Sequence, residues 1–229
     1  MTPSAPTVAG PPVPPPDERV KPVWRGWIHL VALGFTVVAG SLLIAAAPTL
    51  EATVVLTIYV LSMVALFGVS AAFHRITWTP AARRRMRRAD HATIFLAIAG
   101  SYTAVAGLAL SGWAARLVLA IVWIGAAAGV ALRQLWLDAP KWVIAIPYVV
   151  VGWSALAVAP ELLHALGAVG FTLLVVGGLF YTAGALVYAA KRPDPRPEVF
   201  GYHEIFHACT VVGAVLHFVV IAGFALPLA

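Results

Sequence analysis

The chain has 229 residues, of which 62% are apolar and only 10% are charged. Soluble domains are about half apolar and about a quarter charged, so this composition excludes an ordinary water-soluble fold. The net charge of +6 would suit a nucleic-acid-binding protein, but the basic residues lie in short segments between long apolar stretches. That pattern is typical of membrane topology, so we expect membrane lipids, and no nucleic acid, as partners.

The chain begins with a segment that cannot form a core. Residues 1–23 contain eight prolines and few large apolar side chains, which predicts a disordered, Pro-rich cytoplasmic segment. No apolar run begins before about Trp27, so we expect no cleaved signal peptide here. Residues 24–229 are predicted to form one membrane domain.

Seven apolar segments follow, each long enough to cross a bilayer as a helix. A helix rises about 1.5 Å per residue, so about 20 residues cross the hydrocarbon layer. The predicted spans are 26–47, 52–74, 90–111, 113–132, 142–160, 164–190 and 202–227. Arg116 and Pro147 make the ends of the fourth and fifth spans the least defined. The sequence therefore predicts an all-α bundle of seven transmembrane helices.

The distribution of basic residues predicts the orientation of this bundle. Alternate loops, starting with the N-terminal segment, carry 14 Lys and Arg residues, whereas the other loops carry one. Cytoplasmic loops are the ones enriched in Lys and Arg, so the N-terminus is predicted to lie inside. With seven spans the uncharged C-terminus then lies outside, and we expect a multi-pass protein of the cell membrane.

Ionisable side chains occur where three spans meet the predicted cytoplasmic face. Span two ends at His74, span three opens at Asp90 and span seven opens at His203. Such groups are costly inside a membrane bundle and indicate a functional site. Because all three lie on the same side of the membrane, they share one depth to within about two helical turns.

The spacing of these residues indicates a metal site. His203 and His207 are four residues apart, about 6 Å along one helix face, so both imidazoles can reach one ion. Ser70 and His74 repeat this relation on span two. Three imidazoles with one open position form a catalytic zinc pattern, so His74, His203 and His207 are predicted to bind Zn²⁺. Asp90 would lie beside the metal or act as a base, with Ser70 contributing a hydrogen bond.

Several alternatives stay open at this point. Asp90 as a cap of span three is one alternative. The string from His203 to His207 also matches the HExxH metalloprotease pattern, with Glu204 either a functional carboxylate or a partner of the helix dipole. A further alternative is a haem group bound between histidines of different helices. A retinal Schiff base is excluded, because no lysine lies within a span. The remaining histidines lack partners at this spacing and are not predicted as ligands: His29, His91, His164 and His217.

The order of these motifs resembles the progestin and adipoQ receptor (PAQR) superfamily, and most closely its bacterial branch, the hemolysin III family. The resemblance rests on Ser70-x3-His74, on Asp90 and on His203-x3-His207, together with the stretches 100–103 and 201–207. It covers about residues 20–229 and departs from many relatives at Ala104, where we expect proline. It implies a seven-helix bundle that holds zinc with the three histidines, with Ser70 and Asp90 beside the metal's water.

The resemblance also implies a function. Relatives include lipid-receptor-like proteins and membrane hydrolases such as alkaline ceramidases, and bacterial members carry a cytolysin name and are associated with membrane lipid homeostasis. We therefore expect a zinc-dependent hydrolase of a lipid amide or ester in the bacterial cytoplasmic membrane. The alternatives are a non-enzymatic sensor or homeostasis protein with structural zinc, and a pore-forming cytolysin. The pore is disfavoured because no span shows a regular polar stripe.

Overall fold

A computed structural model describes residues 21–136 and 138–229, and the regular elements in these ranges are helical. The helices are α1 Trp27–Ala45, α2 Leu50–Arg75, α3 Pro80–Ala109, α4 Gly112–Leu135, α5 Lys141–Gly152, α6 Ala159–Ala190 and α7 Tyr202–Val220. A 3₁₀ segment, Ser154–Val158, joins α5 to α6, and short π and 3₁₀ turns continue α7 to Leu228. The predicted disordered segment 1–23 lies for the most part outside the described residues.

Six helical stretches of the described ranges are long and apolar enough to cross a membrane. One of the six is a 45-residue stretch, Ile146–Ala190, which contains part of α5 and all of α6. Large apolar side chains face outward from the bundle: Phe35 is 72% exposed and Ile124 is 70% exposed. Such an apolar exterior suits contact with lipid tails. The prediction of an all-α membrane bundle is confirmed, whereas the count of seven spans and the orientation stay predictions.

Helix α3 begins ten residues before the predicted third span, at Pro80. The Thr79 hydroxyl accepts a hydrogen bond from the Ala82 N–H at 3.4 Å, and proline in the first turn is also typical of a helix start. Arginine is a good helix former, so the arginine run 83–88 extends the helix instead of forming a loop. Asp90 consequently lies well inside α3, and the alternative that it caps span three is wrong.

The connection between α5 and α6 differs from the predicted spans 142–160 and 164–190. Helix α5 ends at Gly152, and α6 is kinked at Gly167, whose φ of 68° suits glycine. The Tyr102 hydroxyl donates to the Gly152 carbonyl oxygen at 2.6 Å and accepts from the Ala155 N–H at 2.8 Å. Unpaired backbone groups are costly in hydrocarbon, so Tyr102 stabilises the break in the helix.

Close packing fixes α7, which carries two of the predicted metal ligands, against α6. A Cβ on Gly184 would lie 2.9 Å from the Cβ of Cys209, and a Cβ on Gly213 would lie 3.0 Å from the Gly177 carbonyl oxygen. Small residues at these positions allow the two backbones to approach. The main core is built by buried residues that include Leu56, Met63, Phe67, Val105, Leu162 and Ile221.

Candidate metal centre

Three histidines from two helix ends converge at one point. His74 lies in the last turn of α2, and His203 and His207 lie in the first two turns of α7. One ring nitrogen from each lies within 4.8 Å of the others. The Nε2 atoms of His74 and His203 are 3.2 Å apart. The structure therefore brings together the three histidines that the sequence predicts as ligands.

This spacing fits one small metal ion. In a tetrahedral zinc site with Zn–N bonds of about 2.0–2.1 Å, two ligand nitrogens are separated by about 3.3 Å. The distance of 3.2 Å between His74 and His203 matches that edge. The widest separation, up to 4.8 Å, exceeds it, so one ring would turn towards the ion. Imidazole nitrogens suit zinc, copper, iron and nickel, so these residues could hold a metal without specifying which one.

The triad is largely shielded from solvent. His207 is 3% exposed and His74 is 9% exposed, whereas His203 is half-buried. The Tyr188 ring, near the end of α6, lies edge-on to His203 with centroids 5.5 Å apart. No local pattern in the sequence marks Tyr188, because only the packing of α6 on α7 brings it to the site. Charges interact more strongly in such a buried setting than in water.

Ser70 and Asp90 lie beside the triad. Ser70 is buried one turn before His74 on α2, and its side chain interacts with that of Asp90 on α3. The Asp90 side chain is only 14% exposed. Both residues line the same cavity as the three histidines. The five residues singled out in the sequence thus come from three helices to one region of the bundle.

Three of the remaining histidines lie outside the triad, as predicted. The ring Nδ1 of His91 pairs with the Arg87 carbonyl oxygen at 2.7 Å, within its own helix. The Nε2 of His217 pairs with the Leu174 carbonyl oxygen at 3.1 Å. His164 is exposed.

His29 is not a member of the triad, but it contacts one of the three histidines. Its ring stacks on His207, with centroids 3.9 Å apart and ring planes within 5° of parallel. The sequence contained no signal for this contact, because the two residues lie on helices at opposite ends of the chain.

Glu204, the acidic residue of the HExxH string, makes contacts that do not fit the role of a metalloprotease base. It is 1% exposed, and its Oε2 accepts a hydrogen bond from the Gly201 N–H at 2.9 Å. Its Oε1 forms an ion pair with Arg25, just before α1. Glu204 is therefore a carboxylate that caps the start of α7 and binds the segment before α1 to that helix. The third histidine also comes from α2, so the arrangement is not that of an HExxH protease.

A cavity of about 750 Å³ opens beside the triad and continues into the bundle. Helix α3 lines it from Pro80, its first residue, to Leu110, just past its end. Near the histidines the lining includes the arginines Arg25, Arg83, Arg84 and Arg87, and further along it includes the apolar residues Val105, Val118, Leu162 and Phe171. The volume is that of a small-molecule pocket, and one end is charged whereas the rest is largely apolar.

The residues of this site lie within a part of the chain that matches a known protein family. The family model described as Haemolysin-III related matches residues 18–218. The chain belongs to this family. The matched region includes the three histidines of the triad, Ser70 and Asp90.

Individual relatives agree with this assignment. The haemolysin-III-related chain is 28% identical over 181 residues to Hemolysin-3 of Bacillus cereus, covering 79% of this chain and 80% of that protein. It is 28% identical over 162 residues to the Hemolysin-3 homolog of Bacillus subtilis (strain 168), covering 71% and 73%. Over 63 residues it is 41% identical to the Heptahelical transmembrane protein ADIPOR2 of Oryza sativa subsp. japonica, covering 25% and 28%. These similarities confirm that it is a multi-pass membrane protein of the PAQR superfamily.

Proposed function

We propose that this haemolysin-III-related protein is a zinc-dependent hydrolase that cleaves an amide or ester bond of a membrane lipid. The observation that carries the proposal is the convergence of three imidazoles beside Ser70 and Asp90 at the charged end of a long cavity. Three nitrogen ligands leave one coordination position open, as catalytic zinc sites require. A lipid is favoured as substrate because the cavity lies within an apolar membrane bundle.

The residues of the site divide the chemistry between them. His74, His203 and His207 would hold the ion, and bound zinc supplies a Lewis acid that polarises a carbonyl and acidifies water. Asp90 accepts a proton from the attacking water as the water oxygen bonds to the carbonyl carbon. The C–N or C–O bond then breaks, and Asp90 returns the proton to the leaving nitrogen or oxygen. Ser70 holds the Asp90 carboxyl in position.

The cavity lining supports an amphipathic substrate. Arginines surround the end that carries the histidines, and apolar side chains line the part that follows α3 to Leu110. An acyl chain would bury apolar surface in that part, and burial stabilises binding by about 25 cal/mol per Å². The polar head and the bond to be cleaved would then lie among the arginines and the triad.

We further propose seven spans, an N-terminus inside and residence in the bacterial cytoplasmic membrane. The stretch Ile146–Ala190 has 45 residues, and at about 1.5 Å per residue it measures about 67 Å, twice the roughly 30 Å of hydrocarbon. Divided at the Gly167 kink, the stretch gives parts of 21 and 24 residues, about 31 and 36 Å long, so each part is long enough for one crossing. The arginines of the cavity mouth share one end of the bundle with the triad, which supports a site facing the cytoplasm.

Metal analysis of the purified protein tests the metal site. We expect about one zinc per chain in the wild type. His203→Ala and His207→Ala should each reduce zinc to a small fraction, because two imidazoles remain. His164→Ala and His217→Ala are the matched controls, since neither side chain belongs to the triad. Equal zinc in all four variants would contradict the three-histidine site.

Lipid profiling tests the reaction. Membranes that contain the wild-type protein should lose one amide- or ester-linked lipid and accumulate its fatty acid, and membranes that contain His207→Ala should not. If zinc is bound but lipid composition is the same with and without the protein, hydrolysis is contradicted. The remaining explanation would then be a sensor in which the zinc is structural.

A further inference from the structure

His29 occupies an unusual environment for a histidine. It is the third residue of α1 and is 2% exposed. One face of its ring stacks on His207, and the Phe67 ring lies edge-on to it with centroids 5.1 Å apart. His29 is therefore held between an aromatic side chain of α2 and a metal-ligand candidate of α7.

Ordinary packing does not explain an imidazole at this position. Both ring nitrogens are buried, and although the ring lies against the His207 backbone, neither nitrogen reaches hydrogen-bonding geometry. A buried polar atom without a partner costs about 1–3 kcal/mol, which an apolar side chain of similar size would avoid. The property that His29 does use is its flat aromatic face, which lies parallel to the His207 ring.

The stack is suited to a metal-bound partner. An imidazole that donates its lone pair to a divalent cation becomes electron-poor, whereas a neutral imidazole keeps an electron-rich face. Stacking between the two is favourable for the same electrostatic reason as a cation over an aromatic ring. The stack also restricts rotation of the His207 ring about its side-chain bonds.

The start of α1 is fixed in place independently of this stack. Arg25, one turn before His29, forms the ion pair with Glu204 of α7. The N–H groups of Val23 and Trp24 donate to carbonyl oxygens of the loop before α7, at 3.1 and 3.2 Å. Gly26 has φ 80°, and a Cβ there would lie 3.0 Å from the Cβ of His74. This segment is wedged between the α2 and α7 ends, so the position of His29 is determined by more than its own ring.

We propose that His29 is a positioning residue of the metal site: its stacked ring limits the orientations open to the His207 imidazole and so keeps a nitrogen of that imidazole close to the point where the triad converges. The proposal rests on the metal site proposed above. His29 does not itself join the ligand set, because the cluster of mutually close nitrogens found in the described residues consists of His74, His203 and His207.

Two apolar variants test this role. His29→Leu removes the flat ring, and His29→Phe keeps a flat ring and removes the nitrogens. The readouts are the zinc dissociation constant, measured by competition with a chromophoric chelator, and the visible absorption spectrum of the Co²⁺-substituted protein, which reports ligand geometry. We expect His29→Leu to weaken zinc binding about 10- to 100-fold, as losses of groups that orient a ligand do, and to alter the cobalt bands. His29→Phe should stay within a few-fold of the wild type, with wild-type bands.

A structural control separates positioning from loss of stability. Leu56→Ala removes a fully buried side chain of the core and should lower thermal stability without changing the zinc affinity or the cobalt spectrum. Wild-type zinc affinity and bands in His29→Leu would overturn the proposal. So would a His29→Phe variant as impaired as His29→Leu, because the nitrogens and not the ring would then matter. A wild-type protein that binds no zinc would instead overturn the metal site itself.

Discussion

At the scale of single residues, Asp90 separates catalysis from structure. It lies inside α3 beside Ser70, so its carboxyl serves no helix cap. Asparagine keeps the size of the side chain but cannot accept a proton at neutral pH. We expect Asp90→Asn to keep expression and most of its zinc and to lose about 10²- to 10⁴-fold in the rate of lipid cleavage. Zinc content and lipid turnover measured on the same preparation check this.

Ser70 and Glu51 provide the comparisons for that experiment. Ser70→Ala should show a milder loss, because it removes a contact to Asp90 and not the base itself. Glu51→Gln should keep full activity, since that carboxylate is exposed in the first turn of α2, at the opposite end of the helix from Ser70 and His74. A fully active Asp90→Asn protein would contradict the hydrolase proposal and leave a structural zinc.

At the scale of elements, the break between α5 and α6 depends on Tyr102. Its hydroxyl is the partner of one carbonyl and one N–H that the break leaves outside a regular helix. Tyr102→Phe keeps the ring and leaves both groups unpaired. We expect a loss of about 1–3 kcal/mol in stability, measured by thermal or denaturant unfolding in detergent.

A threonine of α2 is the control for Tyr102. Thr57 donates to the Thr53 carbonyl oxygen of its own helix at 2.7 Å, so Thr57→Val removes a hydroxyl without opening a backbone pair. Its stability should stay within about 0.5 kcal/mol of the wild type. Equal stability of Tyr102→Phe and Thr57→Val would show that other groups satisfy the break.

At the scale of the whole molecule, the number of crossings decides which side the C-terminus faces. A reporter that is active only in the cytoplasm should work when fused after Thr79 or Asp194, and it should fail at Ala229. If the stretch Ile146–Ala190 crossed only once, Lys191, Arg192 and Arg196 would lie outside, against the usual preference of basic loops. Reporter activity at Ala229 would indicate such a six-span arrangement.

The sequence by itself determined the membrane class, the positions of α1, α2 and α4, the family and the histidines that converge. Hydropathy is a property of a local window, and residues four apart share one helix face in any context. These inferences therefore needed no knowledge of how the helices pack. The early start of α3 was missed because an arginine run is equally typical of a loop and of a helix extending beyond the membrane.

Only the tertiary structure decided the contacts between distant segments. Arg25 and Glu204 are 179 positions apart, and neither their ion pair nor the stack of His29 on His207 has a local signature. The Tyr102 hydrogen bonds likewise exist only because α3 packs against the break after α5. Such contacts depend on how several helices pack at once. The spacing of residues along α2 and α7 therefore predicts the ligands of this site, whereas the packing between helices determines which residues contact and orient those ligands.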